Sequence, residues 1–188
     1  MIELFREAQA LQRFLADRGW PFCFIGGVAL QHWGEPRVTR DLDLTVFTGF
    51  GGEAPVVDGL LAHYRGRRPD AREFALRHRV VLISTPAGIA VDVALGALPF
   101  EAEMIARATE VEFEPGVALR ICSAEDLFVL KAFADRLQDR ADVAGIVQRR
   151  GRALDWDAIL ARLAPLAETK GDAGILERVR GLREQFGT

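Results

Sequence analysis

Three aspartates stand inside the most apolar, β-branched stretches of this 188-residue chain, and any fold must find a place for them. In Asp41-Leu42-Asp43-Leu44-Thr45-Val46-Phe47 the side chains alternate with period two. Leu42, Leu44 and Val46 therefore fall on one face of a strand, and Asp41, Asp43 and Thr45 on the other. The third, Asp92, lies in Ile89-Ala90-Val91-Asp92-Val93-Ala94-Leu95 and shares a face with Ala90 and Ala94. Acids are poor strand formers, so three of them in strand interiors need a reason.

The surrounding sequence predicts an α/β (α+β) fold, a mixed sheet flanked by helices and followed by a small helical bundle. A helix is expected over Glu3 to Arg18, closed by Gly19, then a short strand over Phe22 to Ile25 and a short helix from Val28 to Trp33. A further helix is expected near Ala54 to Tyr64, and the basic stretch up to His78 has room for a second. Arg79 to Ser84 and Ile89 to Leu95 flank Thr85-Pro86-Ala87-Gly88, which has hairpin turn chemistry. Pro99 to Ala108 reads as a helix, and two strands surround Pro115-Gly116. From Ser123 the pattern turns helical. Ser123-Ala124-Glu125-Asp126 resembles a capping box, and three or four helices follow, broken near Gly151 and Gly171. The expected division is a domain of residues 1–122 and a helical domain of 123–188.

With 49% hydrophobic residues the chain has ample material for a core, and two isolated cysteines, Cys23 and Cys122, form neither a disulfide framework nor a zinc pattern. No apolar run is long enough to span a bilayer and no signal peptide is apparent at Met1-Ile2-Glu3-Leu4, so the expected location is cytoplasmic, with no membrane partner. The net charge of −3 conceals an uneven distribution: six arginines in 65–79, five in 136–152, and seven acids in 99–126. His32, His63 and His78 lack metal-ligand spacing, and there is no Walker-type loop, GxSxG elbow or CxxC.

What the sequence does contain is a carboxylate constellation. Residues i and i+2 of a strand lie on one face about 7 Å apart, so Asp41 and Asp43 can converge on one hard cation. If the strand of Asp92 lies alongside, its carboxylate completes an oxygen-only site suited to Mg²⁺ or Mn²⁺. Gly26-Gly27, separated from Asp41 by thirteen intervening residues, sits between a strand and a helix, where a phosphate can approach backbone N–H groups and the positive helix end.

Phe24-Ile25-Gly26-Gly27-Val28-Ala29-Leu30 followed by Gly34-x-x-Arg37-x-Thr39-x-Asp41-Leu42-Asp43-Leu44 resembles the signature of the nucleotidyltransferase superfamily related to DNA polymerase β. Within it, the run is similar to the AbiEii/AbiGii toxin-type enzymes. The likeness continues at Ile89-Ala90-Val91-Asp92-Val93 and at Ser123-Ala124-Glu125-Asp126-Leu127-x-x-x-Lys131-x-x-x-x-Arg136-x-x-Asp139-x-x-Asp142, so it covers about residues 22 to 147. The resemblance implies metal-dependent transfer of a nucleoside monophosphate from an NTP, with release of pyrophosphate. Asp41, Asp43 and Asp92 would hold the metals, Gly26 and Gly27 the triphosphate, and Arg37 with Thr39 would assist at the phosphates. Lys131, one of two lysines against 22 arginines, would be a cation reaching the triphosphate. Its alternative is an i,i+4 pair with Asp135, on a helix whose buried stripe is expected to be Leu127, Leu130, Ala134 and Leu137. Asp139 and Asp142 resemble the family's last acidic motif, or else pair with Arg136, Arg140 or other basic residues.

The acceptor stays open at this level. An RNA hydroxyl such as a tRNA acceptor end is the leading expectation, with Arg65-Gly66-Arg67-Arg68 or Arg149-Arg150-x-Arg152 on the phosphate backbone and an antitoxin protein as partner. An aminoglycoside-like small molecule or a partner protein is the alternative acceptor. A non-catalytic nucleotide-binding regulatory module is the alternative of a different class.

Overall fold

The fold comes from a computed structural model, which describes residues 1–172 and 174–187. The chain forms two compact units, Met1–Val28 with Val38–Cys122, and Ala29–Arg37 with the chain from Ser123 onward. Residues 29–37, grouped by sequence with the N-terminal part, thus belong to the helical unit. Side-chain packing explains the assignment: the Glu35 backbone comes so near Gly145 that a Cβ there would lie 3.0 Å from its nitrogen, and Arg37 is ion-paired to Asp142.

The first unit is built on a seven-stranded mixed sheet. Its strands are β1 (Phe22–Phe24), β2 (Asp41–Phe47), β3 (Arg65–Gly66), β4 (Val80–Ser84), β5 (Ala90–Gly96), β6 (Thr109–Glu114) and β7 (Val117–Ile121), in the order β3-β4-β5-β2-β1-β7-β6. β2 runs parallel to β5, and β1 parallel to β7; the remaining pairs are antiparallel. Leu42, Leu44, Val46, Val81, Ile83, Val91 and Val93 are wholly buried, as the period-two pattern requires. Each contributes about 1.5–3 kcal/mol relative to exposure.

Helices α1 (Ile2–Ala16), α2 (Gly26–Trp33), α3 (Glu53–His63), α4 (Ala71–His78) and α5 (Pro99–Arg107) are interleaved with these strands. The apolar stripe of α1 buries Leu4, Ala8, Leu11 and Leu15, and the helix packs on β7. Gln12 fixes the docking from both ends of its amide. Its nitrogen donates to the Ala118 carbonyl at 3.1 Å, and its oxygen accepts from the Arg120 N–H at 2.8 Å. Gly19, at φ +65°, turns the chain out of α1 towards β1. The turn between β4 and β5 closes through the Thr85 N–H to the Ile89 carbonyl at 2.9 Å, with Gly88 at φ +82°.

Two local differences from expectation concern the site. Helix α2 begins at Gly26, two residues early, so both glycines of the pair are in its first turn. The basic stretch contains β3 before its helix, and this two-residue strand extends the sheet at the edge beyond β4.

The second unit contains, among the described residues, α6 (Ala124–Ala134), α7 (Leu137–Arg150), a 3-10 turn (Gly151–Ala153), α8 (Trp156–Lys170) and α9 (Gly174–Phe186). The Ser123 hydroxyl caps α6 by accepting from the Asp126 N–H at 3.1 Å. The buried stripe expected to run through Ala134 to Leu137 is interrupted. Asp135 adopts the left-handed conformation, φ 56°, and its carboxylate takes Arg140 and Arg178 at 2.8 and 2.7 Å. Leu137 therefore opens a new helix, 88% exposed, and Ala134 is exposed as well. Leu127, Phe128 and Val129 fill the interior instead, because α6 packs against both α7 and α8. No described helix is long and apolar enough to cross a membrane.

Candidate active site

The glycine pair and the aspartates meet through the sheet. The Ile25 N–H donates to the Asp43 carbonyl at 2.9 Å, which brings the start of α2 beside β2. Gly26 has φ +57°, and a Cβ there would overlap the Asp43 carboxylate. A Cβ on Gly27 would overlap the Thr39 hydroxyl in the same way. The two glycines are thus required by the protein's own side chains, which fill the space that other residues would occupy. Thr39 is buried, and its hydroxyl donates to the Asp41 carboxylate at 3.1 Å. Gly27, Thr39 and Asp41 therefore form a relay from the helix start to the first aspartate.

Register brings the third aspartate alongside. In the parallel pair of β2 and β5, Asp43 is the direct partner of Asp92, and Asp41 of Ala90. Neighbouring strands lie about 4.8 Å apart, so Asp43 and Asp92 form one row of like charge, with Asp41 two residues along the same face. Thr45, further down that face, is buried beside Gly96, whereas Asp41 is exposed and Asp43 and Asp92 are half-buried. The donors are all carboxylate oxygens on adjacent strands, a set that fits a hard divalent cation. Among the described residues no group of three His, Cys, Asp or Glu side chains is gathered tightly enough to hold an ion as it stands. Each carboxylate is turned to its own neighbour: Asp41 to Thr39, Asp43 over Gly26, and Asp92 to the Arg67 guanidinium.

The other motif residues gather in the helical unit. Arg37 donates to both carboxylate oxygens of Asp142, at 2.9 and 3.1 Å. Lys131, 8% exposed, places its ammonium 2.8 Å from Asp142 and 2.9 Å from Asp139. Arg136 completes the chain with an ion pair to Asp139 at 2.6 Å. Lys131 therefore spends its charge on the two motif acids of the next helix, 8 and 11 residues further along the chain, and not on Asp135. Burial by itself raises the Asp142 carboxyl; hydrogen bonds from Arg37, Lys131 and Gln138 outweigh it and bring the pKa to about 2. Burial likewise raises Asp139, and the hydrogen bonds from Arg136 and Lys131 carry it below its ordinary value.

Two residues of consequence have little signal in the sequence. Arg67 reaches Asp92 only because β3 exists, and a two-residue strand lies below what periodicity detects. Asp126, fully buried and paired with Arg162 at 3.1 Å, lies at a helix start where an acid is ordinarily solvent-facing.

Solved structures share this fold at low identity. An antigenic nucleotidyltransferase-like protein from Paracoccidioides brasiliensis is 15% identical, with TM-score 0.56, over 94% of this chain and 93% of that one. The antibiotic-resistance factor ANT(2'')-Ia is 14% identical in its solution structure, with TM-score 0.52, covering 98% of this chain and 92% of the other. Its crystal structure in complex with adenylyl-2''-tobramycin gives 16% identity and TM-score 0.51, over 90% and 98% of the two chains. Among curated proteins no match reaches significance. The family model described as "Nucleotidyl transferase AbiEii toxin, Type IV TA system" matches residues 9–172, which span both the aspartate strands and the network around Asp142, and the chain belongs to that family of nucleotidyltransferases.

Proposed function

We propose that this nucleotidyltransferase moves a nucleoside monophosphate from an NTP to a hydroxyl of RNA, such as a tRNA acceptor end, and releases pyrophosphate. The observation that carries the reading is the row formed by Asp43 and Asp92, with Asp41 on the same face and Gly26 pressed against Asp43. Three carboxylates so placed repel one another and call for positive charge between them. Asp41 and Asp43 would hold one Mg²⁺ or Mn²⁺ and Asp92 would share a second. When bound, such ions neutralise phosphate charge and ease removal of a proton from the acceptor hydroxyl. In the transfer, the acceptor oxygen bonds to the α-phosphorus, the bond to pyrophosphate breaks, and the hydroxyl proton leaves.

Within the chain, the first turn of α2 at Gly26 and Gly27 offers backbone N–H groups and a positive helix end to the triphosphate. Thr39 orients Asp41 through its hydroxyl. Lys131 and Arg37 are positioning residues in this reading: through Asp142 they tie the segment after α2 to α7.

The RNA part draws support from the second basic stretch. A cavity of about 340 Å³ in the helical unit is lined by Arg149, Arg150 and Arg152 together with Gln148 and Gln185. Arg150 lies over the Trp33 ring at 5.0 Å, a cation–π contact that orients its guanidinium. In the first stretch, by contrast, Arg67 and Arg68 are engaged by Asp92 and Asp70. A protein antitoxin partner follows from the family's toxin-antitoxin description. An aminoglycoside-like acceptor is the second reading, favoured by the adenylyl-2''-tobramycin held by a protein of the same fold. Incubation with Mg²⁺, each labelled NTP and total tRNA separates them: label on tRNA supports the first, and label confined to a small molecule or a protein refutes it.

A further inference from the structure

We propose that Arg67 is the resident counter-cation of Asp92, holding the third carboxylate while no metal is bound and leaving it when a divalent ion arrives. The proposal rests on the metal-dependent reading above. Its first support is the sheet's register, independent of any one side-chain rotamer. The Arg67 N–H donates to the Leu82 carbonyl at 2.9 Å, directly continuing the pairing of β3 with β4. Leu82 is the partner of Asp92, and Asp92 the partner of Asp43. Leu82, Asp92 and Asp43 thus occupy one row across three strands, Arg67, the residue after β3, continues that row at the sheet edge, and residues in one row share a face. The sheet delivers a guanidinium to the acidic face at the level where two carboxylates lie side by side.

The second support is the contact itself. The Arg67 guanidinium ion-pairs with Asp92, and the same nitrogen lies 3.4 Å from the Val91 carbonyl. Among the described residues this is the ion pair that Asp92 makes. The adjacent Arg68 is engaged elsewhere, paired with Asp70 and stacked over Phe74. With Arg67 on Asp92, the row carries one positive charge against two negative ones, which relieves the repulsion that would otherwise oppose the parallel pairing of β2 and β5. The pair is also open enough to exchange: the side chains are 32% and 45% exposed, and an ion pair so exposed is weak. A divalent ion, with twice the charge and direct oxygen coordination, can replace it. Arg67 thereby sets the metal concentration at which the site fills.

The test is a titration of the full chain with Mn²⁺ alone, with no nucleotide, followed by electron paramagnetic resonance of the free ion. Arg67→Met removes the competing charge and keeps the apolar stem, and should bind Mn²⁺ about fivefold more tightly than the wild type. Arg67→Gln, polar and uncharged, should show the same gain and serves if the methionine variant folds poorly. Arg67→Lys should remain near the wild type. In an Asp92→Asn background the Arg67→Met change should have no effect. Unchanged or weaker binding in both Arg67→Met and Arg67→Gln, with the wild type binding Mn²⁺ normally, overturns the role of Arg67 alone. A wild type that binds no Mn²⁺ overturns the metal reading and this proposal together.

Discussion

Asp142 grips Arg37 through both of its carboxylate oxygens, at 2.9 and 3.1 Å, across 105 residues of sequence. The same carboxylate holds Lys131 at 2.8 Å, so an arginine after α2, a lysine in α6 and an acid in α7 share one buried charge. Bidentate guanidinium pairing fixes direction as well as distance. Within the helical unit it anchors to α7 the segment that follows α2.

Removing that carboxylate should be costly. Asp142 is buried, with its side chain 2% exposed, and Asp142→Ala leaves Lys131 with half its partners and Arg37 with none from this acid. A loss of about 3 kcal/mol is expected, read as the shift in urea unfolding midpoint at constant slope. A loss below about 1 kcal/mol would show the network to be peripheral.

The network also sets a pH dependence. Asp142 titrates at about 2 in the folded protein, and Asp139 is displaced in the same direction. An unfolded aspartate titrates near 3.9. Because the folded value is the lower one, the unfolded chain takes up protons first as the pH falls. The contribution is complete above about pH 4 and disappears as the pH drops towards 2, amounting to about 2 kcal/mol for Asp142. Unfolding free energies measured from pH 5 to pH 2 should fall steeply in the wild type and less so in Asp142→Asn. Parallel curves would remove Asp142 as the source.

Gly26 and Gly19 give a controlled comparison. Both have positive φ, +57° and +65°, yet a Cβ on Gly19 meets nothing within 4 Å while one on Gly26 meets the Asp43 carboxylate. Gly19→Ala should cost about 1 kcal/mol for the backbone alone. Gly26→Ala should cost distinctly more and should also cut nucleotidyl transfer by tenfold or more, since Asp43 must move. Equal costs with full activity in Gly26→Ala would mean that the contact is immaterial.

Much of this site is visible in the sequence because its parts obey strong local rules. The alternation around Asp41 and Asp43 determines which face they occupy, and the hairpin residues Thr85 to Gly88 place the following strand. What periodicity cannot show is partnership between distant elements. That Asp43 sits beside Asp92 depends on β2 and β5 being parallel neighbours, a product of the whole sheet order. The helix break at Asp135 was hidden for a different reason. Asp135 is not a glycine, but aspartate tolerates the left-handed region, and at φ 56° its side chain is held by Arg140 and Arg178. Arg67 was hidden by the brevity of β3.

The account turns on the aspartate row, and one assay reaches it directly: transfer of label from an NTP to tRNA, with and without Mg²⁺, by the wild type and by Asp43→Ala. Wild-type transfer that requires Mg²⁺, at least a thousandfold loss in Asp43→Ala, and an unaltered unfolding midpoint for that variant are the predicted results. An Asp43→Ala protein that folds normally and still transfers label at the wild-type rate would contradict the account.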